Sequence, residues 1–419
     1  MKLIADLQIH SRFSRATSPS INLANLEKYA RLKGINLLGT GDFTHPKWLA
    51  ELKNELKEDG SGILTSNYGF HFVLQGEISN IYTQDGKARR IHTLLLARNF
   101  EIVEQINAAL LKKGRLDYDG RPIFGFSCIE LVEMMRKISN DIEIIPAHVW
   151  TPWYGIFGSM SGFDSVEGCF KDQAKHIYAI ETGLSSDPAM NWRLSKLDKY
   201  TLLSSSDAHS FWPWRLGREA NVFDIGWSYD ELLQAIRKKK GFVETIEMWP
   251  HEGKYHYTGH RNCNVCLSPK ESIKLKNICQ KCRKSLTVGV AQRVEMLADR
   301  EDGFVPKNAV PFRNLIPLSE VIAGTIGEKV ESKKVWEGYY KLTNEFGNEF
   351  NVVLEAEESK LKKITTEKIA DSIIRNRLQK IPFKPGYDGV YGVPIFDEKE
   401  GFKEEIKPKI KQAGLDEFM

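Results

Sequence analysis

Histidines and carboxylates recur through the first half of the sequence where a metal ion could use them: His10, Asp42 with His45, Glu77, His92, His148, Glu181, and Asp207 with His209. Closely spaced divalent cations held by such groups generate a hydroxide at neutral pH, hold a phosphate and stabilise the departing oxygen of an in-line displacement. The pattern therefore predicts metal-assisted hydrolysis of a phosphoester. That chemistry needs no covalent nucleophile, so Ser11, Ser14, Ser204, Ser205 and Ser206 read as turn or supporting residues. Arg15 and Arg193 are candidate bidentate clamps on phosphate oxygens. An isolated histidine beside an apolar strand is more often a hydrogen-bonded core or surface residue than a ligand. The repetition argues for metal, because a packed interior does not tolerate so many converging ionisable groups without cations. His71, His176 and His251 lack such placement and read as structural or surface groups.

The elements that must bring these residues together are short apolar runs alternating with helical patterns from residue 1 to about 240: Leu3 to Ile9, Ile35 to Gly39, Phe72 to Gly76, Ile91 to Ala97, Ile142 to Ala147, Ile177 to Ile180 and Tyr200 to Leu203. Alternation of this kind predicts an α/β fold around a parallel sheet, with about enough strands to close a barrel. Most runs end directly in a candidate ligand, and in α/β barrels the C-terminal strand ends carry the active site. His92 breaks the rule by standing at the start of its run. It reaches the same rim only if that strand is antiparallel or the barrel irregular.

A second metal signal follows. Cys263 and Cys266, then twelve residues, then Cys279 and Cys282 form two knuckles able to close a tetrahedral structural zinc site. Cys128 and Cys169 stand alone in apolar contexts and read as reduced thiols. From His251 to Val290 eight Lys/Arg stand against Glu252 and Glu271, so this segment is +6 and the rest of the +4 chain is −2. A phosphate backbone suits that patch. Tyr257, His260 and Arg261, in a run interleaving aromatic and basic residues, and Lys281, Arg283 and Lys284 are candidate DNA contacts. Trp153, Trp192 and Trp212 in the later barrel loops are candidates to wedge or receive an extruded base.

Residues 291 to 381 read as helices broken at Pro306, Pro311, Pro317 and Gly347, followed by a turn-rich loop around Tyr387 that offers amides and aromatics to a backbone. The last residues follow a Lys/Glu/Pro-rich stretch expected to be mobile. Gln412, Leu415, Phe418 and Met419 there resemble a sliding-clamp-interacting motif. At 419 residues the chain is too long for one core, and 42% hydrophobic with 27% charged residues excludes fibrous and low-complexity classes. No apolar run reaches the roughly 18 residues of a membrane span, and Asp6 interrupts any signal peptide, so a cytoplasmic protein without membrane partners is expected.

Asp6-Leu7-Gln8-Ile9-His10, Gly39-Thr40-Gly41-Asp42, Gly76-Glu77, Ile91-His92, Pro146-Ala147-His148 and Ser206-Asp207-Ala208-His209 resemble, in order and spacing, the motifs of the polymerase-and-histidinol-phosphatase (PHP) family. The resemblance implies a distorted (βα)7 barrel hydrolysing phosphoesters at two or three divalent ions, Zn, Mg or Mn. Position by position it implies that His10, Glu77 and Asp207 hold one ion, Glu77, His92 and His148 a second, and His209 with Asp42 a third. Asp207, His10 and Glu77 would be the catalytic centre. Two positions depart from the family pattern: Gln8, a poorer neutral ligand, stands where a histidine ligand is found, and Phe43 stands where a histidine follows Asp42, with His45 available nearby as a ligand. With the four-cysteine segment, the approach Gly259-His260-Arg261-Asn262-Cys263 and the helical C-terminal part, the chain resembles the endonuclease Q family over nearly its whole length. That implies a barrel over 1–245, a structural-zinc domain over 246–290, a helical DNA-binding domain over 291–400 and a tail over 401–419. The activity implied is cleavage of DNA 5′ of a deaminated base (uracil, hypoxanthine, xanthine) or an abasic site. A PHP exonuclease or small-molecule phosphoesterase fits the barrel but not the basic zinc segment. A DNA-binding adaptor without catalysis fits Gln8 and Phe43 but not the retained acids and imidazoles.

Overall fold

The computed structural model describes residues 1–396, so the clamp motif expected at Gln412, Leu415, Phe418 and Met419 lies outside the described residues. Each of the seven apolar runs overlaps a strand: Lys2–Asp6, Leu37–Gly39, His71–Gln84, Lys87–Ala97, Glu143–Pro146, Ala179–Glu181 and Thr201–Leu203. The first three pair in parallel in that order. At Asp85 and Gly86, with φ of 52° and 71°, the chain makes a two-residue reversal. An Asp-Gly pair with positive φ matches the twist of an antiparallel hairpin, and Lys87–Ala97 returns along His71–Gln84 in antiparallel register. Lys87–Ala97 also pairs antiparallel with Glu143–Pro146. Because this strand runs backwards, its early residue His92 lies at the rim where the parallel strands end.

The ring continues when the Val149 N–H donates to Glu181 O at 3.0 Å, joining the parallel pair Ala179–Glu181 and Thr201–Leu203. It closes where the His10 N–H donates to Ala208 O at 3.0 Å beside a parallel bridge between Ile9 and Ala208. The result is a distorted barrel. Alternate strand residues face inward, and each of the seven strands sends apolar side chains to one inner cluster: Leu3, Leu37, Val73, Leu94, Ile145, Ala179 and Leu203. Helix Tyr229–Lys238 plugs the end away from the rim with Leu232, Leu233 and Ile236. Three further strands widen the sheet from Lys2–Asp6 outward: Ala220–Asp224 and Phe242–Glu247, each antiparallel to its neighbour, and Phe312–Asn314, parallel to the last.

The zinc-type segment is a hairpin, Thr258–His260 with Val265–Leu267, followed by helix Pro269–Lys274, which starts in a capping box between Ser268 and Glu271. Helices Leu318–Ile326, Lys333–Phe346, Glu358–Ile364 and Glu367–Arg377 follow. They join the outer apolar layer through Val321, Ile322, Tyr339, Leu342, Ile369 and Ile373. Helix Leu23–Lys33 of the barrel docks on them through a buried ion pair, Lys33 Nζ to Glu349 Oε1 at 2.7 Å. Glu349 also accepts from the Leu318 N–H and the Tyr339 hydroxyl, so neither charge is left unsatisfied. Among the described residues no helix is long and apolar enough to cross a membrane.

Candidate metal centre and nucleic-acid face

At the barrel rim three of the expected ligands, Asp42, His148 and Asp207, have φ of 40°, 31° and 48°. Left-handed backbone at a non-glycine residue costs roughly 1–3 kcal/mol, and here it turns the chain sharply at a strand end so that the side chain faces the mouth. Gly183, with φ of 63°, makes room for one such turn, since a Cβ there would stand 2.5 Å from His148 Cβ. Glu77 comes from the long strand instead, sharing the inward face of Val73 and Gln75 by alternation.

Two groups of donors result, His10 with Asp207 and His209, and Glu77 with His92 and His148, each with ligand atoms within 4.8 Å of one another. His10 lies between them: its Nε2 is 3.0 Å from both Glu77 Oε2 and Asp207 Oδ1. Glu77 Oε1 is 2.7 Å from His92 Nδ1 and 3.4 Å from His148 Nε2, yet among the described residues it makes no hydrogen bond. A buried, unpartnered carboxylate oxygen among converging imidazoles is what a cation site requires, so the donor set fits divalent metal. The charges are matched accordingly. Burial opposes ionisation of Glu77, but His92 and Arg121 hold its carboxyl well below the usual range. Burial likewise opposes protonation of His10, but Asp42 and Asp207 push its imidazole well above its ordinary value.

Asp42 departs from the ligand role expected for it. Its Oδ1 bonds His10 Nδ1 at 2.9 Å, and its Oδ2 accepts from Ser11 N–H, Ser11 Oγ and Ser14 Oγ at 2.6, 2.6 and 2.8 Å. With both oxygens engaged it orients His10 and leaves Nε2 to face the mouth. Nor is Asp42 grouped with His209, which joins His10 and Asp207. His45 stands outside both groups, stacked on Phe13 with ring centroids 4.3 Å apart. Gln8 turns its amide to Glu77, donating Nε2–H to Oε2 at 3.1 Å. Phe43 is fully buried against Gly76, which explains an aromatic residue where the family pattern has histidine. Glu181 supports the centre from behind. Its Oε2 accepts the His148 N–H at 2.9 Å, and burial pushes its carboxyl up to about 8.

Of the two arginines expected at the mouth, Arg193 lies elsewhere. Arg193 Nη1 pairs with Glu295 at 2.6 Å, joining the barrel to helix Val290–Leu297. Arg15 pairs with Asp119 at 3.3 Å, its side chain more than half exposed. Arg121, which sequence reasoning passed over, has its guanidinium 3.7 Å from Glu77 Oε2. No spacing rule flags it, because it lies in a loop that ends none of the predicted strands.

In the cysteine segment the atoms that converge belong to His260, Cys263, Cys279 and Cys282, within 4.8 Å of one another. His260 Nδ1 is 3.3 Å from Cys282 Sγ. This departs from the expected four-cysteine set and from the DNA-contact role given to His260. In the hairpin Cys266 pairs with Gly259 and His260 with Val265, so Cys266 and His260 face opposite sides. Arg261, Lys281, Arg283 and Lys284 are exposed, and Tyr257 is half-buried. Tyr387 is 9% exposed, and a Cβ on Gly259 would meet its ring at 2.4 Å. The loop around Tyr387 is therefore a brace on the hairpin, also pinned by Asp388, which accepts from the Arg261 N–H and the Thr287 hydroxyl. Trp212 packs among Trp214, Trp336 and Tyr29, and Trp192 meets Phe312 edge-on, so both join layers of the fold. Trp153 is 38% exposed with the Arg90 guanidinium over its ring. It adjoins Tyr154, which contacts the His92 ring at 4.3 Å.

The family model described as the MJ0043 C-terminal domain matches residues 317–380, the helical part. An uncharacterized protein of Methanocaldococcus jannaschii is 33% identical over 308 residues, 71% of this chain, which spans only 37% of that relative's length. The uncharacterized protein YqxK of Bacillus subtilis is 29% identical over 412 residues, covering 93% of this chain and 98% of the relative. Among solved structures, the lesion-specific endonuclease PfuEndoQ of Pyrococcus furiosus superposes with a TM-score of 0.86 at 32% identity, covering 95% of this chain and 96% of that one. A crystal structure of endonuclease Q complexed with a 27-mer duplex substrate, an abasic lesion at its active site, gives 0.85 at 32% identity, with 95% and 98% covered.

Proposed function

The chain belongs to the endonuclease Q family, and from that premise we propose that it is a metal-dependent DNA repair endonuclease that hydrolyses the phosphodiester on the 5′ side of an abasic or deaminated nucleotide, uracil, hypoxanthine or xanthine. One observation carries the reading: carboxylates and imidazoles spread from His10 to His209 meet in two adjoining groups at the mouth of one barrel. His10, Asp207 and His209 would hold one divalent ion and Glu77, His92 and His148 another, with Zn, Mg and Mn all compatible with the donors. When bound, such ions supply an activated water and compensate charge at the phosphate. The chain's own residues do the positioning. Asp42 fixes the His10 tautomer that presents Nε2, and Glu181 anchors the His148 backbone.

Exposed Arg261, Lys281, Arg283 and Lys284 are suited to track the backbone of the duplex. Trp153, beside the mouth, is suited to fill the gap left by a nucleotide turned out of the stack, a movement that costs least at a damaged position. His260, Cys263, Cys279 and Cys282 would hold a structural zinc. Gln412, Leu415, Phe418 and Met419 would engage a sliding clamp, which co-elution of the full chain with a clamp ring, lost on Phe418→Ala, tests.

The test of the main reading is an end-labelled duplex carrying one abasic site, uracil or hypoxanthine, incubated with Mg2+ or Mn2+. A single internal nick 5′ of the lesion is expected. Stepwise trimming from an end, or a mobility shift without cleavage, refutes it.

A further inference from the structure

We propose that Arg121 is a catalytic residue whose guanidinium binds a non-bridging oxygen of the phosphate being cleaved. The proposal rests on the phosphodiesterase reading above. Arg121 comes from the loop Asp119-Gly120-Arg121, ahead of the short strand Ile123–Phe124, and that loop is fixed against the centre. The Gly120 N–H donates to Phe13 O at 3.0 Å, and Gly120 O accepts from the Thr44 hydroxyl at 3.1 Å. The Arg121 N–H donates to Asp119 Oδ1 at 3.0 Å, while Arg15 holds the other Asp119 oxygen. A Cβ on Gly120 would stand 2.2 Å from Asp42 Oδ2 and 2.4 Å from Ser14 Oγ. The backbone thus runs directly over the carboxylate that orients His10, and only glycine allows so close a pass. The next side chain, that of Arg121, reaches towards Glu77, its Nη1 3.7 Å from Glu77 Oε2.

There the guanidinium is poorly used. Its ion pair with Glu77 Oε2, at 3.7 Å, is too long for a hydrogen bond. Four carboxylates act on its charge, those of Glu77, Asp207, Asp119 and Asp42. Asp42 and Asp119 already accept bonds from Ser11, Ser14 and Arg15, and Glu77 and Asp207 belong to the two ligand groups. With ions on those groups, the planar fork of N–H donors faces the space a phosphate must enter and has no competing acceptor. Arginine suits that task because two parallel N–H bonds match two phosphate oxygens. A mere counter-ion for Glu77 would act through the ligand set instead, and the two roles separate by experiment.

The experiment compares the full chain with Arg121→Gln, Arg121→Lys and Arg121→Gly on the abasic duplex, alongside bound-metal content and thermal unfolding. The expected result is a fall in kcat of about 10²- to 10³-fold for Arg121→Gln, with metal content and Tm unchanged. Added guanidinium ion is expected to restore part of the activity of Arg121→Gly but none of that of Arg121→Lys. In the wild type loaded with Mn2+, inorganic phosphate should bind, and Arg121→Gln should weaken that binding. Nicking by Arg121→Gln within twofold of wild type overturns the proposal, as does a loss of bound metal that accounts for the lost activity. Failure of the wild type itself to nick overturns the phosphodiesterase reading rather than the role of Arg121.

Discussion

The barrel mouth and the cysteine hairpin both gather side chains able to hold a metal ion, but they do so by opposite means. The mouth collects residues from His10 to His209 on a ring of strands filled by its own apolar cluster. Its donors already bond to supporting groups, as His10 does to Asp42 at 2.9 Å. The hairpin collects His260 to Cys282 on tight turns, with Asn264, Asn277 and Arg283 at φ of 50°, 55° and 62°. Few apolar side chains are buried in this segment, chiefly Leu286. A scaffold with its own core holds a ligand set in place before the ion arrives, whereas a segment without one takes its folding energy from the metal.

The sharpest way to break this contrast is to remove one ligand from each place. Cys279→Ser should cost the hairpin its zinc, worth about 10–16 kcal/mol of apparent binding energy in such sites. The segment from residue 254 to 290 should then become sensitive to protease while the barrel amides stay protected from exchange. Uniform loss of protection across the barrel would mean that the two regions do not differ as described. Asp207→Asn should do the reverse. The fold and Tm should hold while nicking falls by about 10³-fold or more, because several kcal/mol of transition-state charge stabilisation go with the ion that residue helps to hold. Surviving activity would disprove the assignment of the mouth as the active centre.

The contrast also explains what the sequence disclosed. Strand-end ligands were legible because a polar residue at the end of an apolar run has few reasons to be there, and His92 was legible as an exception that Asp85 and Gly86 then resolve. The outer strands Ala220–Asp224 and Phe242–Glu247 were not, since Asn221, Glu244 and Glu247 interrupt their apolar pattern. Those polar groups are buried for reasons of packing: Asn221 Oδ1 accepts from the Ser204 N–H, and Glu247 accepts from Thr182, Ser204 and Thr245. Arg121 was illegible for a different reason. Its position depends on a glycine passing within van der Waals contact of Asp42, and close approach in space leaves no period in sequence. Trp192, Trp212 and Tyr387, aromatic residues in loops that suggested nucleic-acid contact, also pack between parts of the fold.

A smaller effect is expected behind the mouth. Asp42→Asn keeps the size of the group that holds His10 but removes the charge and can present the wrong tautomer. Supporting partners of this kind change metal affinity by roughly 10- to 100-fold. Titration of Mn2+ against the apo protein should show weaker binding, with activity recovered at high metal concentration. An Asp207→Asn protein should not recover, and that difference separates an orienting residue from a ligand.

The smallest effect separates residues that the spacing of the hairpin makes look alike. Cys266 stands three positions after Cys263, as Cys282 does after Cys279, so sequence gives both knuckles equal standing. The antiparallel register does not. Cys266 shares a face with Gly259, the face that Tyr387 covers, while His260 looks out from the other towards Cys282. Cys266→Ser exchanges one small group for another away from the ion, so zinc content and the protease resistance of the hairpin should stay at wild-type levels. His260→Ala should lower both. If the outcomes are reversed, with Cys266→Ser losing zinc and His260→Ala keeping it, the hairpin closes through four thiolates. The register that turns Cys266 towards Tyr387 would then have to shift by one residue, since a single-residue slip moves every side chain of a strand to the opposite face.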